Sequence, residues 1–478
     1  MTDSVPVLLS LSSNRAPIAF ETDIAMLPLR GSVPDGLEGL LVRNGPNPVV
    51  PDAELSWFAG DGMLHGFRLQ EGRVGYINRW IRTKRWEHAT QTGRNLASGG
   101  LIPTSAGMVP LPGDDGYANT SVVAHAGRML ALEEAHMPIR MDPATLGTLG
   151  VDDFDGKVAG AFTAHPKTCP LTGELLFFGY GTPERLSADM QFGVIARGGQ
   201  VLRVEGFQAP YASMVHDFAV TENHVVLPIM PLTASRERAA KGGPAYAWEP
   251  EFGTRVGIMR RSDDVSRMAW WSGPTCYVFH VMNAWECGDD LYVDVMQFDK
   301  APMFPTPDGR FSPTAYDEIG QLVRWHFDLS SPKRHFSRTV LSGTPGEFPR
   351  IDERRSGLSY RHGWYAGSEP KDGGGWRSRA MLVHIDHDSP KDDLYRTEPG
   401  DSLSEPVFVA RSDAEGDGWV LATVYRAATK TSELLIFEAR NVAAGPICTA
   451  FVPHRIPDGF HGQWFPRGFD QEARSQPC

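Results

Sequence analysis

Short runs of strand-forming residues, separated by turns, recur along almost the whole chain. About twenty such runs of period-two or β-branched character can be placed between residues 37 and 451. The 50 glycines and 37 prolines among 478 residues supply the turns between them, and helical periodicity is scarce. The pattern predicts an all-β fold. A closed barrel or a propeller accommodates so many antiparallel strands without leaving long unpaired edges.

The chain shows no linker that would separate a second domain, so a single domain over residues 1–478 is predicted. Residues 70–73, Gln-Glu-Gly-Arg, indicate a hairpin turn between two strands. A short helix is predicted from Trp86 onward. Two charged segments, 235–251 and 373–401, are interpreted as surface insertions.

Composition excludes several classes of protein. The net charge of −12 argues against a nucleic-acid-binding face. Five cysteines without a CxxC pair fit a reducing compartment, and they argue against a disulfide framework or a thiolate metal site. The first residues lack a basic segment typical of a signal peptide, and no run approaches the ~20 apolar residues of a spanning helix. We therefore expect a cytoplasmic protein.

The segment Cys276–Trp285, CYVFHVMNAW, predicts a buried strand with a histidine at its centre. A buried imidazole needs partners for both ring nitrogens. His280 is therefore either a core residue that bonds to backbone carbonyls or a functional ligand.

Three more histidines occur in similar apolar or aromatic settings beside predicted strand ends: His165 in FTAHPK, His216 in SMVHDF and His461 in GFHGQW. They are far apart in sequence, and only a fold that gathers strand ends around one axis would join them. Four neutral imidazoles would suit Zn, Cu, Fe or Ni, so the ligand type does not select the metal. A closed zinc site would usually include cysteine, and none lies next to these histidines.

A histidine that binds a metal usually donates its other N–H to an acceptor, often a carboxylate. Glu134, Glu347 and Glu405 are candidates because each lies in an apolar or turn-like context. The alternative for each is a solvated carboxylate in a turn, since glutamate is rarely buried unless paired.

The chain resembles the carotenoid cleavage oxygenases, a family that includes apocarotenoid, lignostilbene and isoeugenol oxygenases. The resemblance runs from about Ile24 to Pro466, which gives the expected domain core. It is carried by motifs that occur in family order: LVRNGPNP, FAGDGM, ANTSVV, FDGKV, TAHPK, MVHDFAVTE, VFHVMNAWE, GEFPR, EPVFVAR and FHGQW.

This resemblance implies a seven-bladed β-propeller with a cap of loops and helix over a non-haem Fe(2+) on its axis. The implied iron ligands are His165, His216, His280 and His461. The implied carboxylate partners are Glu134, Glu347 and Glu405, with Glu133 as the alternative to its neighbour. Thr120 is expected near an open coordination position. The implied reaction adds O2 across a conjugated C=C bond and gives two carbonyl products, with iron as the only cofactor.

The second half of the chain resembles the lignostilbene and isoeugenol branch, whose members contact a substrate phenol through a lysine and a tyrosine. Here the lysine position is Glu133 and the tyrosine position falls near Gly100, so both phenol contacts are expected to be missing. Phe58 matches an aromatic position of the substrate cleft, or it is a core aromatic of the first blade. We therefore predict an apocarotenoid or carotenoid substrate. The alternative is a stilbene or phenylpropene.

Two alternatives change the class of activity. A propeller that binds a polyene without catalysis is disfavoured because all the implied site positions are filled, and an isomerohydrolase has no distinct support in the sequence. Large apolar substrates favour an exposed apolar entrance and a peripheral membrane contact. Residues 108–112 and 302–305 are the candidates, with packed loops as the alternative. The oligomeric state is not predicted.

Overall fold

The computed structural model describes residues 11–52, 55–95, 113–311, 320–369 and 379–469. Within these ranges nearly all regular structure is β, and the two α-helices are short: α1 (Lys84–Thr92) and α2 (Arg236–Ala240). The all-β prediction is confirmed, and so is the short helix, which begins two residues before Trp86. Gly100 and the segment 108–112 lie outside the described residues.

Backbone contacts divide the chain into two compact units. The first unit contains the residues up to Ala164 and those from Thr397 onward, and the second contains His165–Arg396. The prediction that the whole chain is one domain stays a prediction.

The first unit contains three antiparallel sheets. The first sheet has the order β1 (Thr22–Ile24), β5 (Arg73–Trp80), β4 (Gly62–Gln70), β3 (Gly39–Pro46) and β33 (Gly462–Pro466). The next sheet is formed by β6 (Ser121–His125), β7 (Arg128–Leu132), β8 (Ile139–Met141) and β9 (Thr148–Val151). The third has the order β2 (Leu29–Gly31), β32 (Cys448–Val452), β31 (Thr431–Glu438), β30 (Gly418–Arg426) and β28 (Ser402–Leu403), with β29 (Val407–Ala410) also on β30.

The second unit contains four sheets of four strands. The first two are formed by β10 (Lys167–Thr168), β11 (Leu175–Tyr180), β12 (Asp189–Ile195) and β13 (Val201–Gln208), and by β14 (Ala219–Val220), β15 (His224–Ile229), β18 (Thr254–Arg260) and β19 (Ala269–Gly273). The other two are formed by β20 (Tyr277–Cys287), β21 (Asp290–Phe298), β22 (Gln321–Asp328) and β23 (Ser337–Val340), and by β24 (Gly346–Ile351), β25 (His362–Gly367), β26 (Met381–Asp386) and β27 (Asp393–Arg396). A two-stranded ladder joins β16 (Leu232–Ala234) to β17 (Tyr246–Trp248).

The seven sheets of four to six strands in the described chain are the blades of a β-propeller. Most strands pair antiparallel with the strand that comes next along the chain, because a short turn is enough to connect such a pair. The predicted hairpin turn at 70–73 is confirmed: Glu71 and Gly72 have φ values of 50° and 72°, the positive pair that a tight two-residue hairpin requires.

Each unit has its own apolar core, made by inward-facing residues of alternating strands. In the first unit Leu41, Phe67 and Leu421 are almost fully buried in one cluster. In the second unit Phe178 and Phe218 pack in another.

The structure bears on three predictions about loops. The described part of segment 373–401 is not an insertion, because it contains β26 and β27 of a blade. Segment 235–251 agrees with the predicted surface insertion, because it contains α2 and β17 and lies between β15 and β18 of one blade without joining its sheet. Residues 302–305 are buried, since Phe304 packs near Tyr277 and Phe279, so this loop is not an exposed entrance. Among the described residues, no helix is long and apolar enough to cross a membrane.

Candidate metal centre

His280 lies on β20 at a break in the strand's pairing with β21. The register shifts between Val278 and Val281, and again between Val281 and Asn283. Such bulges bend a strand and redirect side chains, and they are frequent beside functional sites. The His280 side chain is almost fully buried, so this irregularity places an imidazole inside the molecule rather than at a blade surface.

Three imidazoles of the second unit converge on one point. The Nε2 atom of His216 lies 3.0 Å from Nε2 of His165 and 3.1 Å from Nε2 of His280. His165 comes just before β10 and His216 just before β14, so each residue lies at a strand end, while His280 lies within β20.

The spacing of these nitrogens fits a metal ion. With metal–nitrogen bonds of about 2.1 Å, two nitrogens at a right angle are about 3.0 Å apart. A neutral imidazole has one N–H and one lone pair, so direct hydrogen bonds among three Nε2 atoms cannot satisfy every ring. The donor set is therefore suited to a shared cation.

His461 belongs to the same group. The ligand atoms of His165, His216, His280 and His461 all lie within 4.8 Å of one another. Three of the four histidines are buried, and His165 is partly exposed. The second unit thus brings together three of the histidines that the sequence singled out, and His461 of the first unit is the fourth member of the candidate metal-binding group.

Glu347 holds the far side of the His280 ring. Its Oε2 lies 2.5 Å from Nδ1 of His280, and the carboxylate has no exposed surface. The register of β24 also shifts after Glu347, and Phe348 has a φ of 58°, which is uncommon for a residue with a bulky side chain. The Phe348 N–H donates to the same carboxylate oxygen, so this local turn fixes the position of Glu347.

Glu405 holds the His461 ring in the first unit. Its Oε1 lies 2.8 Å from Nδ1 of His461, and its Oε2 accepts the Gly462 N–H at 2.8 Å. Arg43 on β3 donates to the backbone oxygens of Glu405 and Phe460 at 3.0 and 2.8 Å. Arg43 thus fixes the backbone at Glu405 and at the residue before His461 against β3 of the first sheet.

Glu133 and Glu134 have different surroundings. Glu133 accepts the Tyr117 N–H at 3.0 Å and forms a short contact with His136. Burial raises the pKa of Glu133, but the charge and hydrogen bond of His136, the Tyr117 N–H and the charge of Arg85 together outweigh burial, so the pKa is lowered. Glu134 is buried just beyond the end of β7. Because Glu133 forms an ion pair with His136, Glu134 remains our candidate partner of a metal-binding histidine.

The charged cluster around Glu133 is a feature that the sequence did not indicate. Asp114 pairs with Arg85 of α1 and lies 3.7 Å from His136. Burial lowers the pKa of His136, but Glu133 and Asp114 more than offset burial and raise it to about 9. No local motif joins these residues, because they meet only through the fold.

Thr120 contacts His461, and Phe58 contacts the residue before it. The backbone oxygen of Thr120 accepts the His461 N–H at 3.2 Å. The Phe58 ring stacks on Phe460 at 5.7 Å and an angle of 9°, and it is partly exposed. Phe58 therefore belongs to an aromatic pair next to the segment that carries His461, while its role as a substrate contact stays a prediction.

The sequence search also missed Asp217. This residue follows His216 directly, and its buried carboxylate bonds to Lys167 and to the backbone of β20. The signal was present in MVHDFAV, where an acid interrupts an apolar run.

The fold and the four histidines define a propeller with a candidate non-haem metal centre, and comparisons with known proteins give its family. The sequence model of the family described as "Retinal pigment epithelial membrane protein" matches residues 15–466. The chain is 34% identical to isoeugenol monooxygenase of Pseudomonas nitroreducens over 94% of this chain and 96% of that protein.

Two solved structures extend the comparison. Lignostilbene dioxygenase of Pseudomonas brassicacearum is 33% identical and has a TM-score of 0.90, covering 95% of this chain and 98% of that one. Cobalt-substituted apocarotenoid oxygenase of Synechocystis is 26% identical and has a TM-score of 0.84, covering 94% and 97%. The chain belongs to the carotenoid cleavage oxygenase family, and it is an oxygenase with the propeller fold of that family.

Proposed function

We propose that this chain is an Fe(2+)-dependent dioxygenase that cleaves a conjugated C=C bond with O2 to give two carbonyl products. The observation that carries the proposal is the convergence of three Nε2 atoms at 3.0 and 3.1 Å in the second unit. His461 completes the proposed ligand set. When bound, the iron would supply the activation of O2 that an alkene alone does not achieve.

The carboxylates act on the imidazoles in this proposal. Glu347 and Glu405 accept the Nδ1–H of His280 and His461, which makes Nε2 of each ring the unprotonated nitrogen that would bind the metal. Glu134 is proposed to serve a third histidine. Four neutral imidazoles add no negative charge, so the metal would keep its full +2 charge and remain a strong Lewis acid.

We propose an apocarotenoid or carotenoid as the substrate. The position where a phenol-binding lysine is expected holds Glu133, whose carboxylate is paired with His136 and is not free to contact a substrate. A phenolate would meet no lysine there. The stacked rings of Phe58 and Phe460 beside His461 supply an apolar flat surface that suits a conjugated polyene.

A second candidate is cleavage of a stilbene or a phenylpropene. It is favoured by similarity, because the relatives named isoeugenol monooxygenase and lignostilbene dioxygenase are 34% and 33% identical, whereas apocarotenoid oxygenase is 26% identical. Apocarotenals, resveratrol and isoeugenol should therefore be compared as substrates of the same preparation. The proposal expects the highest kcat/KM with an apocarotenal, and the reverse order would transfer the assignment to the second candidate.

Product analysis under ¹⁸O2 tests the reaction type. A dioxygenase places one labelled oxygen in each of the two carbonyl products, provided that exchange with water is corrected. Label in only one product would indicate a monooxygenase. Tight binding of a polyene without any product under O2 would support an inactive propeller instead.

Metal analysis tests the centre. We expect about one iron per chain after reconstitution, and loss of both iron and turnover in His280→Ala. His362→Ala is the matched control, because His362 is also buried in the second unit but bonds to His384 rather than to the four-histidine group. An iron-replete and active His280→Ala variant would reject His280 as a ligand.

We also propose a cytoplasmic location with peripheral contact to membranes that hold the substrate. The described cysteines Cys169, Cys276, Cys287 and Cys448 are all unpaired, which fits a reducing compartment. Flotation with lipid vesicles tests the contact, and a protein that stays entirely in the unbound fraction would contradict it.

A further inference from the structure

One buried carboxylate touches all three histidine-bearing segments of the second unit. Oδ1 of Asp217 lies 2.7 Å from Nζ of Lys167 and accepts the Phe218 N–H at 2.8 Å. Its Oδ2 accepts the Val281 N–H at 2.9 Å. The Asp217 side chain is only 3% exposed, so these contacts form inside the protein.

Each of these contacts involves a residue one or two positions from a histidine of the candidate metal centre. Lys167 lies two residues after His165, Asp217 follows His216, and Val281 follows His280. Each bond of the carboxylate therefore holds the segment of a different histidine. Since the three Nε2 atoms meet at 3.0 and 3.1 Å, a shift of any one segment would change the geometry available to a metal.

The Val281 contact explains why the bulge in β20 persists. The pairing with β21 is interrupted around Val281, and a buried N–H that lacks a partner is costly. Asp217 supplies that partner, so the carboxylate stabilises the irregular backbone that directs His280 inward. Lys167 then balances the charge of the buried carboxylate, and its ammonium also lies 5.9 Å above the Phe218 ring.

We propose that Asp217 and Lys167 are positioning residues that set the spacing of His165, His216 and His280, and that they thereby determine the affinity and coordination geometry of the bound metal. The inference rests on the proposed metal centre. It assigns no contact with substrate to either residue. Metal sites tolerate deviations of only a few tenths of an ångström in ligand position, which is why a contact outside the ligand set can control them.

Cobalt(II) binding to the metal-free protein is the test, because its visible absorption reports coordination geometry and does not require turnover. In Asp217→Asn the new NH2 group faces either the Lys167 ammonium or the Val281 N–H. Both of these groups are hydrogen-bond donors, so one of the two contacts is lost in the variant. We expect a 10- to 100-fold weaker affinity for cobalt(II), the usual range for partners of metal ligands, and a changed absorption band. Chelator competition measures the affinity.

Asp294→Asn is the matched control for general destabilisation. Asp294 is another fully buried carboxylate of the second unit. It bonds to Arg324 through two contacts of 2.8 Å and to the Tyr360 hydroxyl at 2.7 Å, and the histidine beside it is His387 rather than one of the four. This variant should lower the melting temperature of the metal-free protein and leave the cobalt(II) affinity and spectrum unchanged. A loss of cobalt(II) binding in Asp294→Asn as large as in Asp217→Asn would overturn the positioning role.

Lys167 provides a second and milder pair of variants, because its side chain is partly exposed. Lys167→Met should weaken cobalt(II) binding, and Lys167→Arg should restore most of the affinity because it keeps the charge. If Asp217→Asn does not fold, the two Lys167 variants test the positioning role by themselves. Wild-type affinity and spectrum in Lys167→Met and in any folded Asp217→Asn would refute the inference, whereas a wild-type protein that binds no metal would refute the proposed function instead.

Discussion

The carboxylate of Glu347 is completely buried, and its Oε2 lies 2.5 Å from Nδ1 of His280. A carboxylate at this position accepts the Nδ1–H and thereby selects the tautomer whose Nε2 carries the lone pair. The contact connects two irregular strands, since both β20 and β24 shift register at these residues.

Glu347→Gln should weaken metal binding while leaving the ligand set intact. The amide can still accept the His280 N–H, but it lacks the charge that makes the imidazole a stronger donor to the metal. We expect metal affinity or turnover to fall 10- to 100-fold, measured by iron content and kcat. Glu237→Gln is the control, because Glu237 lies exposed on α2 and pairs with Lys241 just after the helix. Equal iron retention in both variants would contradict this role of Glu347.

Gly45→Ala should disturb the segment that carries His461. A Cβ atom on residue 45 would lie 2.5 Å from Cα of Gly459, far closer than the 3.5–4.0 Å of an ordinary carbon contact. The two backbones must separate, at a cost of about 1–3 kcal/mol in the free energy of unfolding. Thermal unfolding and metal affinity should both decrease. Gly343→Ala, where no heavy atom lies within 4 Å of the added carbon, should change neither.

Metal should stabilise the fold. Any ligand that binds only the folded state raises its stability, by about 2.7 kcal/mol at a free concentration of 100 times Kd. Adding cobalt(II) to the metal-free protein should therefore raise the melting temperature, and chelation should reverse the change. His216→Ala removes the ring that takes part in both Nε2 contacts and should abolish the shift. An equal shift in that variant would show that cobalt(II) binds elsewhere.

Stability should decline on the alkaline side because of His136. Its pKa is raised from 6.5 to about 9 in the folded protein, so its contribution is complete below pH 6.5 and is lost as the pH rises through 9. The melting temperature should fall by several degrees between those values. His136→Gln should flatten this alkaline limb, whereas His335→Gln, on an exposed side chain, should leave it unchanged. An unchanged limb in His136→Gln would assign the pH dependence to other groups.

The β class and the positions of the four histidines could be predicted from the sequence because both depend on local signals. Strand periodicity and turn residues repeat along the chain, and a histidine within an apolar run is conspicuous. His280 in VFHVM is the clearest case. The family motifs then supplied the seven blades, which periodicity alone did not distinguish from a barrel.

Contacts between distant segments could not be predicted in this way. The cluster of Arg85, Asp114 and His136 joins a helix, a loop and a turn whose local patterns are ordinary. The blade formed by β24–β27 was partly misinterpreted because Asp386 and Asp393 give its strand ends a charged appearance. The register shift that turns Val281 toward Asp217 leaves no trace in hydrophobic alternation.

The pairing of β3 with β33 has a consequence for biosynthesis. Arg43 on β3 lies opposite Gly462 on β33. One edge of β3, a strand that is synthesised early, therefore stays unpaired until most of the chain has been synthesised. His461 becomes available at the same moment as the strand that completes the first sheet. Until His461 has been synthesised, the growing chain contains only three of the four imidazoles, so binding of a metal by all four would coincide with the last step of sheet assembly.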